Sequence, residues 1–387
     1  MLTNNVGAFR EDEEDIIDNR KVTINTLQRT VLVERLCVDK YYPKYIIPYD
    51  TTNLYPNLVK SIALRSGSVM SSVRTLAKHT RGEGFLQMGI IVNRKGQTLW
   101  DILRFLAYQK AMFGGWALHY NFNIFGEISE IQTVPFEFVR WKKELDKLVV
   151  NPEWAKKRRG NDEKEYYPYN IKEIEKQIAE SNGIENYCGQ IQYWIPDSSD
   201  IYTVTDWDSV LDDAQFEAEV KIYGLSNIQN DYSLSGFFMY PKTLSSEKEI
   251  KEVKKDLKGD VGSKNAGGVK VLGVPPTSEL ASWKWFQSIS RNNIDALFKS
   301  QVETAKLNIY AAFSQPPILN GVATRGMFNQ ESFIDAFNFY NAQTETERKD
   351  IERELNKIIQ NSIWSSIGEI QIVPKKYENY GSITNKP

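Results

Sequence analysis

The chain has 387 residues, of which 41% are hydrophobic and 25% charged, a composition that excludes wholesale disorder and a collagen-like structure. The 48 Lys and Arg residues nearly balance the 50 Asp and Glu residues, so no global positive field attracts nucleic acid or anionic lipid, and any such contact must be local. Two cysteines without a CxxC pair, no signal peptide and no membrane-length apolar run predict a protein made and kept in a cytoplasm, or in a particle assembled there, without a membrane partner.

The first 140 residues predict a mixed α+β domain. Apolar residues at helical spacing predict a helix between Leu58 and His79 and another over residues 98–113, which Gly114 and Gly115 end. Trp116 to Phe122 and Ile128 to Phe138 predict two adjacent strands or a hairpin.

The next segment turns polar and basic. The run Lys156 to Arg159 is either a phosphate-binding patch or a solvated loop, since three acidic residues follow it directly. Alternation predicts a strand over Ile191 to Val204, and a helix is predicted over Asp206 to Asp231.

The middle of the chain predicts a small αβ unit. Ser246 to Glu249 fits a capping box at the start of a short charged helix. A glycine-rich turn over residues 259–268 follows, and then a strand over Val269 to Val274 that Pro275 and Pro276 stop.

Two long helices are predicted after this unit. One runs from about Ser282 to Phe313 and ends at Pro316-Pro317, since proline cannot continue the hydrogen-bond ladder. The other runs from Gln330 to Ile363, and a helix of over thirty residues usually needs a partner. The aromatic cluster Trp283 to Phe286 is either core or subunit packing or a base-stacking platform.

No motif for catalysis is found. The chain has two histidines without a second ligand at metal spacing, and Gly267-Gly268-Val269-Lys270 lacks the glycine spacing and the Ser or Thr of a phosphate loop. The sequence contains no GxSxG or HExxH motif. We therefore expect neither an enzyme, nor a cofactor, nor a metal.

The order of these elements resembles the bacteriophage portal protein family, the head-to-tail connectors. The motifs that carry the resemblance are Gly236-Phe237-Phe238, the segment Gly262 to Leu272, the segment Phe313 to Gly321 and Asn329 to Phe333. With a weaker match that runs from Phe113-Gly114-Gly115-Trp116 through Val134-Pro135, the resemblance covers roughly residues 50 to 365.

The resemblance implies an α+β portal fold with an assigned role for each segment. Residues 1–205 would form the N-terminal part of the wing, 206–235 a first stem helix, 236–278 the clip and 279–313 a second stem helix. Residues 314–328 would form the tunnel loop, and 329–387 the long wing helix with a short tail in place of a large crown.

The resemblance also implies the partners. Such a chain forms a ring, expected to be dodecameric, at one capsid vertex of the virion, and double-stranded DNA slides through it during packaging and ejection. The ring would contact the major capsid protein and scaffold, dock the large terminase subunit, and later bind neck or adaptor proteins. The alternatives are another structural head or neck protein and an enzyme of phage DNA metabolism.

Candidate contact residues follow from these assignments. The tunnel loop facing DNA would comprise Asn320, Gly321, Val322, Ala323, Thr324, Arg325, Gly326, Met327 and Phe328, with Arg325 its one cation. Clip residues for terminase docking would be Lys248, Lys251, Lys255, Lys264 and Asn265. Lys299 and Lys306, about two helical turns apart, either line the channel or are solvated.

Overall fold

The computed structural model describes residues 44–50, 52–155, 163–229, 236–241, 269–274, 286–288, 294–321 and 330–377. These residues form eight α-helices and nine β-strands, which confirms the predicted α+β class. The helices are α1 (Tyr55–Arg65), α2 (Gly67–Arg81), α3 (Leu99–Phe113), α4 (Ile174–Glu180), α5 (Leu211–Gln229), α6 (Ile294–Ala312), α7 (Gln330–Gln343) and α8 (Glu345–Gln360).

The strands form two sheets. They are β1 (Trp116–Phe122), β2 (Ile128–Val134), β3 (Val139–Trp141), β4 (Leu148–Val150), β5 (Lys164–Pro168), β6 (Gln190–Trp194), β7 (Gly236–Pro241), β8 (Val269–Val274) and β9 (Phe286–Ser288). The first sheet has the order β2-β1-β6-β5-β4-β3 and is antiparallel except for the parallel β5–β6 pair. The second has the order β8-β7-β9, with β7 and β8 parallel.

The main core lies where α3 packs on β1 and β2. Thr98 and Asp101 form a capping box at the start of α3, and Gly114 ends the helix in the left-handed conformation at φ 79°. Trp116 and alternate residues after it along β1 face this core, whereas Ala117 joins a smaller cluster on the opposite face of the sheet. Strand β1 is therefore buried on both faces, which explains its apolar sequence.

Two predicted strands are shorter than expected because proline follows them. Strand β2 ends at Val134, before Pro135, and β6 ends at Trp194, close to Pro196. A proline lacks the N–H that would continue the ladder. The predicted hairpin of β1 and β2 and the strand β8 are confirmed at their predicted positions.

The predicted helix over Leu58 to His79 is wrong in its continuity, because the structure has two helices, α1 and α2, that meet at Ser66. Ser66 has an extended backbone, and its Oγ accepts a hydrogen bond from the N–H of Val69, 3.2 Å away. At this N-cap position, the serine side chain accepts from a backbone N–H in the first turn of α2, which has no carbonyl partner within the new helix. Helical spacing of apolar residues cannot detect such a break.

The helix predicted from Ser282 begins at Ile294, and Phe286–Ser288 pair with β7 as a strand. A segment beside the open edge of β7 gains backbone hydrogen bonds between strands when it is extended. The helix predicted over Gln330 to Ile363 is also interrupted, at Thr344 between α7 and α8. There the Thr344 hydroxyl donates to the carbonyl of Tyr340 and the Arg348 guanidinium to that of Asn341, so side chains compete with the backbone ladder.

Gly189, just before β6, lies against β1, so a side chain there should destabilise the sheet. A Cβ at this position would come within 2.2 Å of the carbonyl oxygen of Tyr120, and the residue has φ 83°. We expect Gly189→Ala to lower the free energy of unfolding by about 1–3 kcal/mol. The measurement is the thermal unfolding midpoint by circular dichroism. Gly224→Ala, inside α5 with no neighbour within 4 Å of the added Cβ, serves as a control and should raise the midpoint; a Gly189→Ala midpoint at or above wild type would contradict the prediction.

Candidate functional site

The antiparallel pair of α5 and α6 carries the segment that leads to the predicted tunnel loop. The Phe298 ring of α6 meets Phe216 and Tyr223 of α5 edge to face, at centroid distances of 6.4 and 5.3 Å. Toward the other end, Asn308 Nδ2 donates to the Asp213 carboxylate at 3.3 Å. Aromatic and polar contacts thus hold the two helices together along their length.

A tight turn follows α6. Phe313 stacks on the fully buried Trp207 at a centroid distance of 6.0 Å, and Ser314 takes φ 48°. Pro316 then precedes a 3-10 helix over Pro317–Asn320, which ends at Gly321 in the left-handed conformation. The proline pair therefore ends the helix as predicted.

Asn320 attaches the start of the predicted loop to α2. Its Oδ1 accepts a hydrogen bond from Ser71 Oγ at 3.0 Å, and its Nδ2 is buried without a partner in the part of the chain that the structure describes. Gly321 is exposed. The other seven predicted loop residues, Val322 to Phe328, lie outside the described residues.

Lys299 and Lys306 lie on α6, seven residues apart, with Lys299 exposed and Lys306 half-buried. Neither forms an ion pair with a residue that the structure describes. The predicted docking residues Lys248, Lys251, Lys255, Lys264 and Asn265 lie outside the described ranges, as does the basic run Lys156 to Arg159.

Glu217 holds α5 against α2, a contact that the sequence analysis did not single out. One carboxylate oxygen accepts from Ser66 Oγ at 2.6 Å and from the N–H of Ser68 at 3.2 Å, while the other accepts from Lys221 Nζ at 2.8 Å. Burial acts to raise the pKa of the Glu217 carboxyl, but the hydrogen bonds from Lys221 and Ser66 and the Lys221 charge together lower it. The ionised carboxylate thus lies at the N-terminus of α2, where the helix dipole favours it.

The surface of α2 beside Asn320 carries Arg74 and Lys78, which the sequence analysis also did not single out. Both are exposed, and neither forms an ion pair within the described ranges. They are four residues apart, so they project from one face of the helix. The sequence shows the spacing of Arg74 and Lys78, but only the structure places these two residues beside the start of the predicted loop.

The two histidines pack among neighbouring side chains. His119 Nε2 lies 2.7 Å from the carbonyl oxygen of Cys188, and His79 packs against the rings of Phe337 and Tyr340. Burial lowers the pKa of both imidazoles. Among the described residues, no three His, Cys, Asp or Glu side chains are grouped to hold a metal ion. No helix in the described ranges is long and apolar enough to cross a membrane.

No protein-family model and no curated protein sequence matches the chain. Solved structures do match. A chain of the native gene transfer agent virion has a TM-score of 0.50 and 13% identity, with 82% of this chain and 83% of that chain covered. A chain in the neck of the native gene transfer agent particle, computed with C12 symmetry, has a TM-score of 0.50 and 13% identity over 83% and 84% of the two chains.

A further match is an HK97 family phage portal protein from Corynebacterium diphtheriae, with a TM-score of 0.40 and 10% identity over 81% of this chain and 95% of that one. The chain therefore shares its fold with a chain in the neck of the native gene transfer agent particle.

Proposed function

We propose that this chain is a portal subunit that assembles into a ring, expected to have twelve copies, at one capsid vertex. The single observation that carries the proposal is the fold it shares with a chain from a particle neck with C12 symmetry, over 83% of this chain and 84% of that one. A fold match over most of both chains supports the same architecture, and a closed ring of twelve copies requires a heterologous interface between neighbours.

In this proposal the segments keep the roles that the sequence resemblance implies. Helices α5 and α6 are the two stem helices, the sheet of β7, β8 and β9 belongs to the clip, and residues 314–328 form the tunnel loop around double-stranded DNA. The parallel pairing of β7 with β8 supports an αβ clip, because parallel strands need a crossover long enough for the charged helix predicted after Ser246.

The ring would serve as a conduit and as a docking platform. Near-balanced charge suits a conduit, because a strongly basic ring would bind the DNA backbone tightly and in a salt-dependent way. We propose the large terminase subunit as the partner of the clip during packaging, with neck or adaptor proteins following, and the major capsid protein and scaffold as partners of the wing. A second candidate is another neck protein, since the second neighbour comes from a particle neck.

Ring formation is the expected result that tests the proposal. Twelve copies of the 44.6 kDa chain amount to about 535 kDa, which mass photometry resolves from a monomer or dimer. Negative-stain images of the same sample should show rings with a central hole. A sample that remains monomeric or dimeric at micromolar concentration, also when co-expressed with its capsid and scaffold proteins, would contradict the portal assignment.

A further inference from the structure

An open groove runs along the face of α2 beside the base of the predicted tunnel loop. Its volume is about 390 Å³, and it extends from Gly67 past Ser71 to Lys78. At 1.5 Å per residue this stretch of helix is roughly 16 Å long. The groove is therefore elongated, which suits an extended ligand better than a compact one.

The groove carries positive charge that nothing within the described ranges neutralises. Its lining contains Arg74 and Lys78 and no acidic residue. The nearby cation Lys60 differs, because it pairs with Glu137. Arg74 and Lys78 lie about 6 Å apart along the helix axis, so two negative groups on one chain can contact them together.

The remaining polar groups of the groove differ in what they can still bind. Thr75 contributes a hydroxyl group to the lining. The Ser66 hydroxyl already donates to Glu217 and the Ser71 hydroxyl to Asn320, which places the groove beside the start of the predicted loop. Arg, Lys and hydroxyl donors are among the groups that contact phosphate oxygens in protein–DNA interfaces.

We propose that this groove binds phosphates of the DNA backbone at the base of the tunnel loop. The proposal rests on the proposed function, because it needs a ring through which DNA passes. Two adjacent cations per copy, repeated around a ring, contact the backbone without reading its sequence. They supply a local positive belt on a chain with a formal charge of −2.

The test compares two double charge reversals in the assembled chain. R74E/K78E removes the groove cations, and K172E/K176E reverses two exposed lysines with the same spacing beside and on α4. Mass photometry first establishes that each variant forms rings. Fluorescence anisotropy then measures the binding of a labelled duplex at several salt concentrations.

We expect R74E/K78E to form rings and to bind the duplex at least tenfold more weakly at low salt. We also expect the slope of log affinity against log salt to fall in magnitude by about 2 for each subunit that contacts the duplex. K172E/K176E should match wild type. R74Q/K78Q, which only neutralises the groove, should show a smaller loss in the same direction.

Three results would overturn this inference while leaving the portal proposal intact. One is unchanged duplex binding by R74E/K78E rings. Another is loss of rings in the groove variants alone, which would make the groove a contact between copies. The third is saturable binding of inorganic phosphate by the wild-type ring at submillimolar concentration, abolished by R74E/K78E, which would indicate a site for free phosphate. A wild-type chain that forms no rings would instead overturn the proposed function itself.

Discussion

Replacing Arg140 by Met is expected to lower the free energy of unfolding by about 2–4 kcal/mol, because several buried acceptors lose their hydrogen bonds to a charged donor. Arg140 is fully buried on β3. Its guanidinium donates to Asn53 Oδ1 at 2.7 Å and to the carbonyl oxygens of Asn53 and Val139 at 2.8 and 2.7 Å. Methionine removes the guanidinium from all of these acceptors, and of them Asn53 Oδ1 still accepts from the N–H of Tyr49.

The position of the guanidinium explains the size of this effect. It lies over the rings of Tyr49 and Trp154, at 5.1 and 5.3 Å from their centroids. It thereby holds the segment before α1 against the edge of the six-stranded sheet, where the N–H of Ile47 also bonds to the carbonyl of Trp141. Loss of Arg140 should release that segment first.

Thermal unfolding followed by circular dichroism measures the effect, and limited proteolysis shows where the chain opens. Arg140→Lys should also be destabilised, because one ammonium cannot reach all the acceptors of a planar guanidinium. Arg104→Met is the control, since the Arg104 side chain is 55% exposed. A midpoint for Arg140→Met within error of the control would refute the assigned role.

The second large effect is expected from Glu217→Gln, which should lower the free energy of unfolding by about 1.5–3 kcal/mol at neutral pH. The amide removes the charge that accepts from Ser66, Ser68 and Lys221, and it turns an NH₂ group toward donors. The expected consequence is a weaker contact between α5 and α2.

The effect should depend on pH. Because the pKa of Glu217 is lowered in the folded state, the carboxylate stabilises the fold above its unfolded pKa of about 4.3, and this contribution is lost as the pH falls through the folded value. The difference in midpoint between wild type and Glu217→Gln should therefore shrink as the pH falls from 7 to about 3. Glu219→Gln, which removes the same charge from a partly exposed ion pair with Arg65, should have a small effect at every pH. A difference that stays constant across the range would argue against an ionised Glu217 in the folded chain.

Sequence patterns predicted those elements whose ends are set by residues next to them in the chain. Helix α3 was predictable because its apolar spacing is bounded by a capping box at Thr98 and a glycine at 114. The β1–β2 hairpin was predictable because both strands have β-forming sequences around a short turn at Gly126. The end of α6 was predictable because proline cannot continue a helix.

The breaks at Ser66 and Thr344 were not predictable from spacing. Each is decided by side-chain hydrogen bonds that compete with the helix ladder, and at Ser66 one partner is Glu217, about 150 residues away in the chain. The strand at Phe286–Ser288 depends on the distant edge of β7 in the same way. The spacing of apolar residues carries no information about contacts between residues that are far apart in the chain.

By itself, the sequence determined the α+β class, the end of α6 and the resemblance to the portal family, because propensity, capping and proline act over a few residues. Only the tertiary structure decided that Asn320 bonds to Ser71 of α2, and that Arg74 and Lys78 therefore lie at the base of the predicted loop. Those residues are some 240 to 250 positions apart in the chain. Their contact arises from the packing of α6 on α2, which no local pattern encodes.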